Sequence, residues 1–424
     1  MHDKSAKFAF GEGGRMAVNR VGVKVLAAAL AVSVPVVLAA CTGPSRPTSA
    51  TTAAKAKAAI AATVPMITVA PTATGSRVPI SVEIGTSVSN GIVSDVSLVS
   101  ATGQHIPGTM RADGSSWVPS SPLQYAQRYT AVVTAIGADG KTTSATTTFT
   151  TVAKPAAKSI QAQVNLGDGQ QYGVAMPIVV DFTASIPAAA RADVQRRLFV
   201  NSMPAQVGAW RWISDREVVY RPRSYWKPGT VLTFTGALGG VPVGNRVLSK
   251  NVTSTATIGR DMEMTVTNSN HTMTITSNGK VIKRAPISMG KASTPSWSGR
   301  FVIMDRLYAT VFDTLDMGPG GYRVAVNYAE RLTWSGMFLH SAPWSVYAQG
   351  HFNVSHGCVN IGPSNAKWIY QNSLVGDPVT VTGTSKHVAA GNGWTAWDMS
   401  WTDYIKDSLV PITVSAPGTL AAGL

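Results

Sequence analysis

Period-two alternation, cut every ten residues or so by turn signals, is the feature that most restricts what this chain can fold into. Residues 77–86 (RVPISVEIGT), 91–100 (GIVSDVSLVS), 128–136 (RYTAVVTAI) and 142–151 (TTSATTTFTT) each alternate, with SNG, ATGQ and two ADG turns around them. The pattern resumes in 177–185 (PIVVDFTAS), 197–203 (RLFVNSM), 216–223 (REVVYRPR) and 230–238 (TVLTFTGAL). Strands at this spacing build sandwiches rather than helical bundles. A faint repeat supports two copies. Segments 116–133 and 219–234 both run aromatic, proline, short loop, aromatic, strand, about one hundred residues apart. Two tandem Ig-like sandwiches are expected, over 65–152 and 158–257, joined near VAKPAAK (152–158). No cysteine pair pins them, so the likeness is architectural.

From about 260 the texture changes. Residues 262–290 alternate around Asn278-Gly279, the signature of a type I′ hairpin. A loop and strand follow in TPSWSGRFVIM, then a Gly-rich loop in 313–324, a short helix in 365–373 and a closing strand in DPVTVTGT. A third, β-rich domain over 260–382 is expected, with an extension over 383–424. Trp394, Trp397 and Trp401 in that extension read as packing against a neighbour, with a sugar-stacking surface as the alternative.

The N-terminus bears on the compartment. Arg20 and Lys24 precede the uncharged run Val25–Ala40, short for a membrane span but suited to the apolar region of an export signal over 1–40. Met16 is an alternative start. The run ends in LAAC, which resembles a bacterial lipobox and marks Cys41 for lipidation, with a Thr/Ala/Ser/Pro-rich tether over 41–64. The chain has 424 residues and only two cysteines, so lipidation of Cys41 would leave Cys358 unpaired and reactive. A formal charge of +15 fits attraction to an anionic envelope polymer better than a nucleic-acid partner in an exported protein.

Cys358 sits in NVSHGCVNI (353–361). A thiol attacks as thiolate, and a histidine or backbone N–H groups favour that form. His356, two residues upstream, would diverge from the thiol in a turn. His340 closes an apolar strand, and the eighteen-residue excursion after it can return the chain alongside. His340 is therefore the expected general base and later acid, with a backbone carbonyl, that of Ser341, holding its tautomer. Gly357 allows a tight turn and leaves its own amide and that of Cys358 for an oxyanion, with His356 in support.

His340, a fourteen-residue gap, then Ser355-His356-Gly357-Cys358-Val359-Asn360 resembles the L,D-transpeptidase (YkuD-like) signature over roughly 260–382. The resemblance implies that Cys358 attacks a peptidoglycan stem tetrapeptide, releases D-alanine and forms a thioester. An amine of a second stem then resolves it into a 3→3 cross-link. It also implies carbapenem acylation. No metal or other cofactor is expected, and the export signal with its lipobox points to a membrane-anchored enzyme working in the wall space. Tyr322 matches a lid tyrosine, Ser335 and Gly336 a donor-channel segment, and Ser341, Trp344 and Asn360 substrate-side positions. Two departures stand out: a short loop before Tyr322, and a TPSWSGRF segment longer than the family's usual form.

Rival readings are weaker. Zinc held by His340, His351, His356 and Cys358 lacks a second short-spaced ligand pair. Papain-like enzymes place cysteine before histidine. The Ser-x-x-Lys matches at 224–227 and 364–367 have no Lys-Thr-Gly-like strand after them. A carboxypeptidase, a wall-protein attachment enzyme and a non-catalytic wall binder remain as alternatives.

Overall fold

The computed structural model describes residues 64–72, 78–111, 114, 116–154, 159–313, 315, 322–410 and 413–414. The export segment, Cys41 and the tether up to residue 63 lie outside the described residues, as does most of the Gly-rich segment 313–324.

Alternation becomes sandwich in the first third. One four-stranded sheet holds Met66–Ala70, Ile84–Ser89, Ser116–Pro119 and Gly108–Met110; the other holds Gly91–Ser100, Arg128–Gly137, Thr142–Thr150 and His105–Ile106. Arg128–Gly137 shows why: every second residue from Tyr129 to Ala135 is buried, and the rest face outward. Ile84, Leu98, Trp117, Tyr129 and Phe149 fill the space between the sheets.

The second sandwich stacks a sheet of Gln170–Tyr172, Val252–Ile258, Val231–Gly236 and Leu198–Met203 against one containing Val207–Trp212, Glu217–Pro222, Ile178–Phe182 and Ala162–Val164. Both copies of the sequence repeat do the same job here. In 116–133 and in 219–234 the chain leaves a strand of one sheet, turns through the proline-containing loop and enters a strand of the facing sheet. A helix, Ala188–Gln195, sits in this sandwich with no counterpart in the strand pattern.

Arg111, held by Glu83 of its own sandwich, reaches a ring of the second. Arg111 donates to both carboxylate oxygens of Glu83, at 2.6 and 2.9 Å, and its guanidinium lies 4.4 Å from the Phe199 ring centre. Burial alone would raise the Glu83 carboxyl, but the hydrogen bonds and charge of Arg111, with the Ser116 hydrogen bond and the Arg197 charge, outweigh it and hold the group below its ordinary value.

A second acid pair behaves oppositely. Asp181 and Glu217 are cross-strand neighbours of the same sign. Burial, then the Asp181 charge, push Glu217 up to about 7. Ionising it in the fold therefore carries a penalty that is absent below about pH 4.5, grows up to about pH 7 and is constant above. Glu217→Gln is expected to raise Tm by roughly 2–4 °C at pH 8, about 1 kcal/mol because Asp181 is exposed and solvent damps the repulsion, and to leave Tm unchanged near pH 4. Thermal melts at the two pH values check this.

The third region is a ten-stranded sheet in the order Asp305–Asp313, Arg323–Arg331, Phe338–Ser341, Val359–Ile361, Lys280–Ser288, Thr272–Ser277, Met262–Thr267, Pro378–Thr382, Trp297–Val302, Lys386–His387. The Asn278-Gly279 turn has φ of 48° and 73°, as a I′ hairpin needs. The sheet runs past residue 382 to take in Lys386–His387. Alternation disappears at its middle, because Phe338–Ser341 and Val359–Ile361 pair in parallel and are buried on both faces. The helix Pro363–Asn372 covers part of this core with Ile369.

The sandwich and this sheet are welded by backbone. Gly173 N–H donates to the Val375 carbonyl at 2.8 Å and Ala175 N–H to Gly376 at 2.9 Å. A Cβ on Gly173 would fall 2.3 Å from the Asp377 nitrogen, so glycine alone permits the approach. The extension completes the join. Trp394 and Trp397 are buried in one core with Trp210, Phe234, Val302 and Met304, and Trp397 Nε1 donates to the Ala175 carbonyl at 2.7 Å. Arg221 lies against the rings of Trp397, Trp401 and Tyr404. These tryptophans are packing residues.

Candidate active site

The parallel pair of buried strands places the chemistry. Its register is Leu339 opposite Val359 and His340 opposite Asn360. Side chains two apart on a strand share a face, so Phe338, His340, Cys358 and Asn360 project from one side, with His340 and Cys358 as diagonal neighbours. The eighteen-residue excursion is a loop that leaves one strand and re-enters as its parallel neighbour. Bonds to residues 288–289 and one within the loop hold it in shape. Asn353 Oδ1 accepts from Met289 N at 2.8 Å, Ser288 Oγ donates to Phe352 O at 2.8 Å, and Gln349 Nε2 donates to Ala342 O at 3.1 Å.

A cavity of about 350 Å³ opens on that face, lined by Phe312, Tyr322, Val324, His340, Trp344, Ser345, Tyr347, Val354, Ser355, His356, Cys358 and Asn360. Its size and mixed apolar and polar lining suit a peptide-sized ligand. Phe312 and Val324 face each other across a hairpin and form one wall. The Phe312 ring meets the His340 ring edge-on at 5.2 Å.

His340 Nδ1 donates to the Ser341 carbonyl at 2.9 Å, so the neutral ring carries its proton on Nδ1 and leaves Nε2 basic. Burial, against that bond, drives His340 down to about 4. The Cys358 thiol is pushed up to about 11 by burial, against a Phe338 backbone bond and the Arg331 charge. Its hydrogen bond runs to the Gly336 carbonyl at 3.5 Å. A lowered thiol pKa was the expectation from sequence; the resting pair is instead thiol and neutral imidazole. The cause is the low-dielectric floor, which disfavours both charged forms at once. Among the described residues no hydrogen bond links the two side chains in this state.

Several expected residues sit differently from expectation. Gly357, with φ of +128°, makes the tight turn, but its N–H donates to Ser355 Oγ at 3.1 Å and is not open to an oxyanion. Ser355 Oγ in turn donates to the Cys358 carbonyl at 2.6 Å, strapping the loop on both sides of the glycine. Ser341 is buried and serves through its carbonyl. Ser335 and Gly336 lie outside the cavity lining: Gly336 holds the thiol, and Ser335 is engaged by Asn392. Asn360 is buried at the cavity floor, with its amide donating to Ser345 Oγ at 3.0 Å. Trp344 lies at the mouth, half exposed, 6.0 Å from the His340 ring. Tyr322 packs on His356 at 5.0 Å, and burial followed by the Cys358 charge raises its phenol.

Lys291 is a neighbour the motif does not reveal. Its Nζ lies 3.3 Å from His356 Nε2, and burial with that charge lowers His356. The signal for it is only in the fold, where Gly290 bridges Ser355 and brings residue 291 beside the motif.

The fold and this pairing define an acyl-transfer enzyme built around a cysteine and a histidine on adjacent buried strands. A family model for the bacterial Ig domain matches residues 75–242, and one for the L,D-transpeptidase catalytic domain matches 262–381. The chain is 34% identical over 345 residues to L,D-transpeptidase 2 of Mycobacterium tuberculosis (strain CDC 1551 / Oshkosh), covering 80% of this chain and 83% of that one. L,D-transpeptidase 5 of Mycobacterium tuberculosis (strain ATCC 25618 / H37Rv) is 31% identical over 349 residues, covering 80% and 75%. An LD transpeptidase solved in complex with imipenem is 33% identical and covers 53% of this chain and 100% of its own, with a TM-score of 0.46. The chain belongs to the L,D-transpeptidase family, whose members act on peptidoglycan stem peptides.

Proposed function

We propose that the protein forms 3→3 peptidoglycan cross-links through a thioester on Cys358. The observation that carries this reading is the placement of His340 and Cys358 on one face of paired strands, at the floor of a peptide-sized cavity. A tetrapeptide donor enters; His340 Nε2 takes the thiol proton as Sγ bonds to the carbonyl carbon of the third residue. Collapse of the tetrahedral adduct breaks the bond to D-alanine, whose nitrogen receives that proton from His340. An acceptor amine then attacks the thioester, gives its proton to His340, and the thiol is restored. Tyr322 and Trp344 flank the donor at the mouth, and His356 supports the loop beside the thiol. No metal or other cofactor is needed for these steps.

The export run and LAAC place the enzyme, in this proposal, on the outer face of the plasma membrane with Cys41 lipidated. The sandwiches then carry the active site toward the wall. The test is muropeptide analysis after expressing the wild type and Cys358→Ala in a host lacking such links. New 3→3 dimers should appear with the wild type only. Tripeptide without dimers would make the protein a carboxypeptidase, and no change in either would favour a wall binder.

A further inference from the structure

The turn that holds the thiol is itself held from outside the catalytic sheet. Residues 332–337 connect Arg323–Arg331 to Phe338–Ser341, and 333–337 form a turn. At the base, Met337 N–H donates to Thr333 Oγ1 at 2.9 Å. The tip, Trp334 to Gly336, is exposed. There Asn392, 57 residues on in the C-terminal extension, makes two bonds to one residue: its Oδ1 accepts from Ser335 N–H at 3.1 Å and its Nδ2 donates to Ser335 Oγ at 2.8 Å. The next residue, Gly336 with φ of +97°, presents the carbonyl that accepts from Cys358 Sγ.

Asn392 is in turn fixed from behind. Gly393, with φ of +101°, lies so close to the turn that a Cβ would fall 2.7 Å from the Leu332 carbonyl oxygen. Trp394 N–H meets the Met304 sulfur at 3.2 Å, and Trp397 is anchored on Ala175 of the second sandwich. A continuous set of contacts thus runs from that sandwich through the extension to the nucleophile.

We propose that Asn392 is a positioning residue for Cys358: it clamps the 333–337 turn so that the Gly336 carbonyl, outside the cavity lining, holds the sulfur in place at the cavity floor. This rests on the reading of Cys358 as the acylated nucleophile. A carbonyl accepting from a thiol favours its neutral form, so loosening the turn should both misdirect the sulfur and make it easier to ionise.

The experiment compares full-length wild type, Asn392→Ala and Asn392→Asp by carbapenem acylation rate, followed by intact mass, and by the pH profile of iodoacetamide alkylation at Cys358. Asn392→Ala should be acylated roughly tenfold more slowly, with its alkylation profile moved to lower pH. Asp retains an acceptor for Ser335 N–H and for a turned Ser335 hydroxyl, so Asn392→Asp should stay within about twofold of wild type. Acylation of Asn392→Ala at the wild-type rate, an unmoved profile, or slowing of Asn392→Asp as far as Asn392→Ala overturns the proposal. Failure of the wild type to acylate would instead refute the nucleophile reading, while the alkylation profile still reports on the clamp.

Discussion

Cys358→Ser should remain folded and take up carbapenem roughly a thousandfold or more slowly than the wild type, with no adduct by intact mass in the time that saturates the wild type. The fold survives because the position asks little of sulfur as a packing atom. Cys358 joins a small cluster with Val326, Ala329 and Phe338, and a serine hydroxyl can donate to the same Gly336 carbonyl. No buried donor is left without a partner, so the loss in stability should stay near about 1 kcal/mol. Reactivity does not survive, because the hydroxyl is a far weaker acid than the thiol in the same dry floor, and His340 is tuned too low to draw a proton from it. Cys358→Ala should give the same loss, and a serine variant acylated at near the wild-type rate would remove the nucleophile from this account.

Which parts of this molecule could be read from the chain follows from how local each cause is. Alternation in 128–136 and the Asn278-Gly279 turn act over neighbouring residues, and both appear as written. The helix Pro363–Asn372 follows from a proline at its first position and an apolar stripe. The helix Ala188–Gln195 was missed because it is only eight residues long and carries no capping side chain, although its alanines favour a helix. The long hairpin of Asp305–Asp313 and Arg323–Arg331 was missed for another reason. Its first strand is half exposed on both faces, so little separates it from the glycine-rich segment beside it. In the site, the His340 to Cys358 spacing was legible because a motif records it. Lys291 and Asn392 were not, since each arrives from a distant segment by sheet pairing or by a tail folding back. The neutral resting state was also hidden: it is set by desolvation from every element around the floor, and no short stretch of sequence carries that sum.

That neutral resting state sets the expected pH dependence of acylation. With His340 at about 4 and the thiol at about 11, the reactive form is imidazole plus thiol, and it dominates everywhere between those values. The rate constant for carbapenem acylation should therefore be nearly flat from about pH 5 to about pH 9 and should decline below that as His340 becomes charged and loses its lone pair. His340→Gln tests whether His340 is the base. Glutamine can still donate to the Ser341 carbonyl, so the strand stays satisfied, but no base remains on the cavity side. Acylation should then depend on the rare free thiolate, falling roughly 10²- to 10⁴-fold at pH 7 and rising about tenfold per pH unit from about pH 6 to pH 9. Stopped-flow or mass-resolved acylation rates across that range decide the matter. If the variant keeps a flat profile and a near-native rate, the proton goes elsewhere, and His356 beside Lys291 becomes the group to test, because it is the other imidazole lining the same cavity.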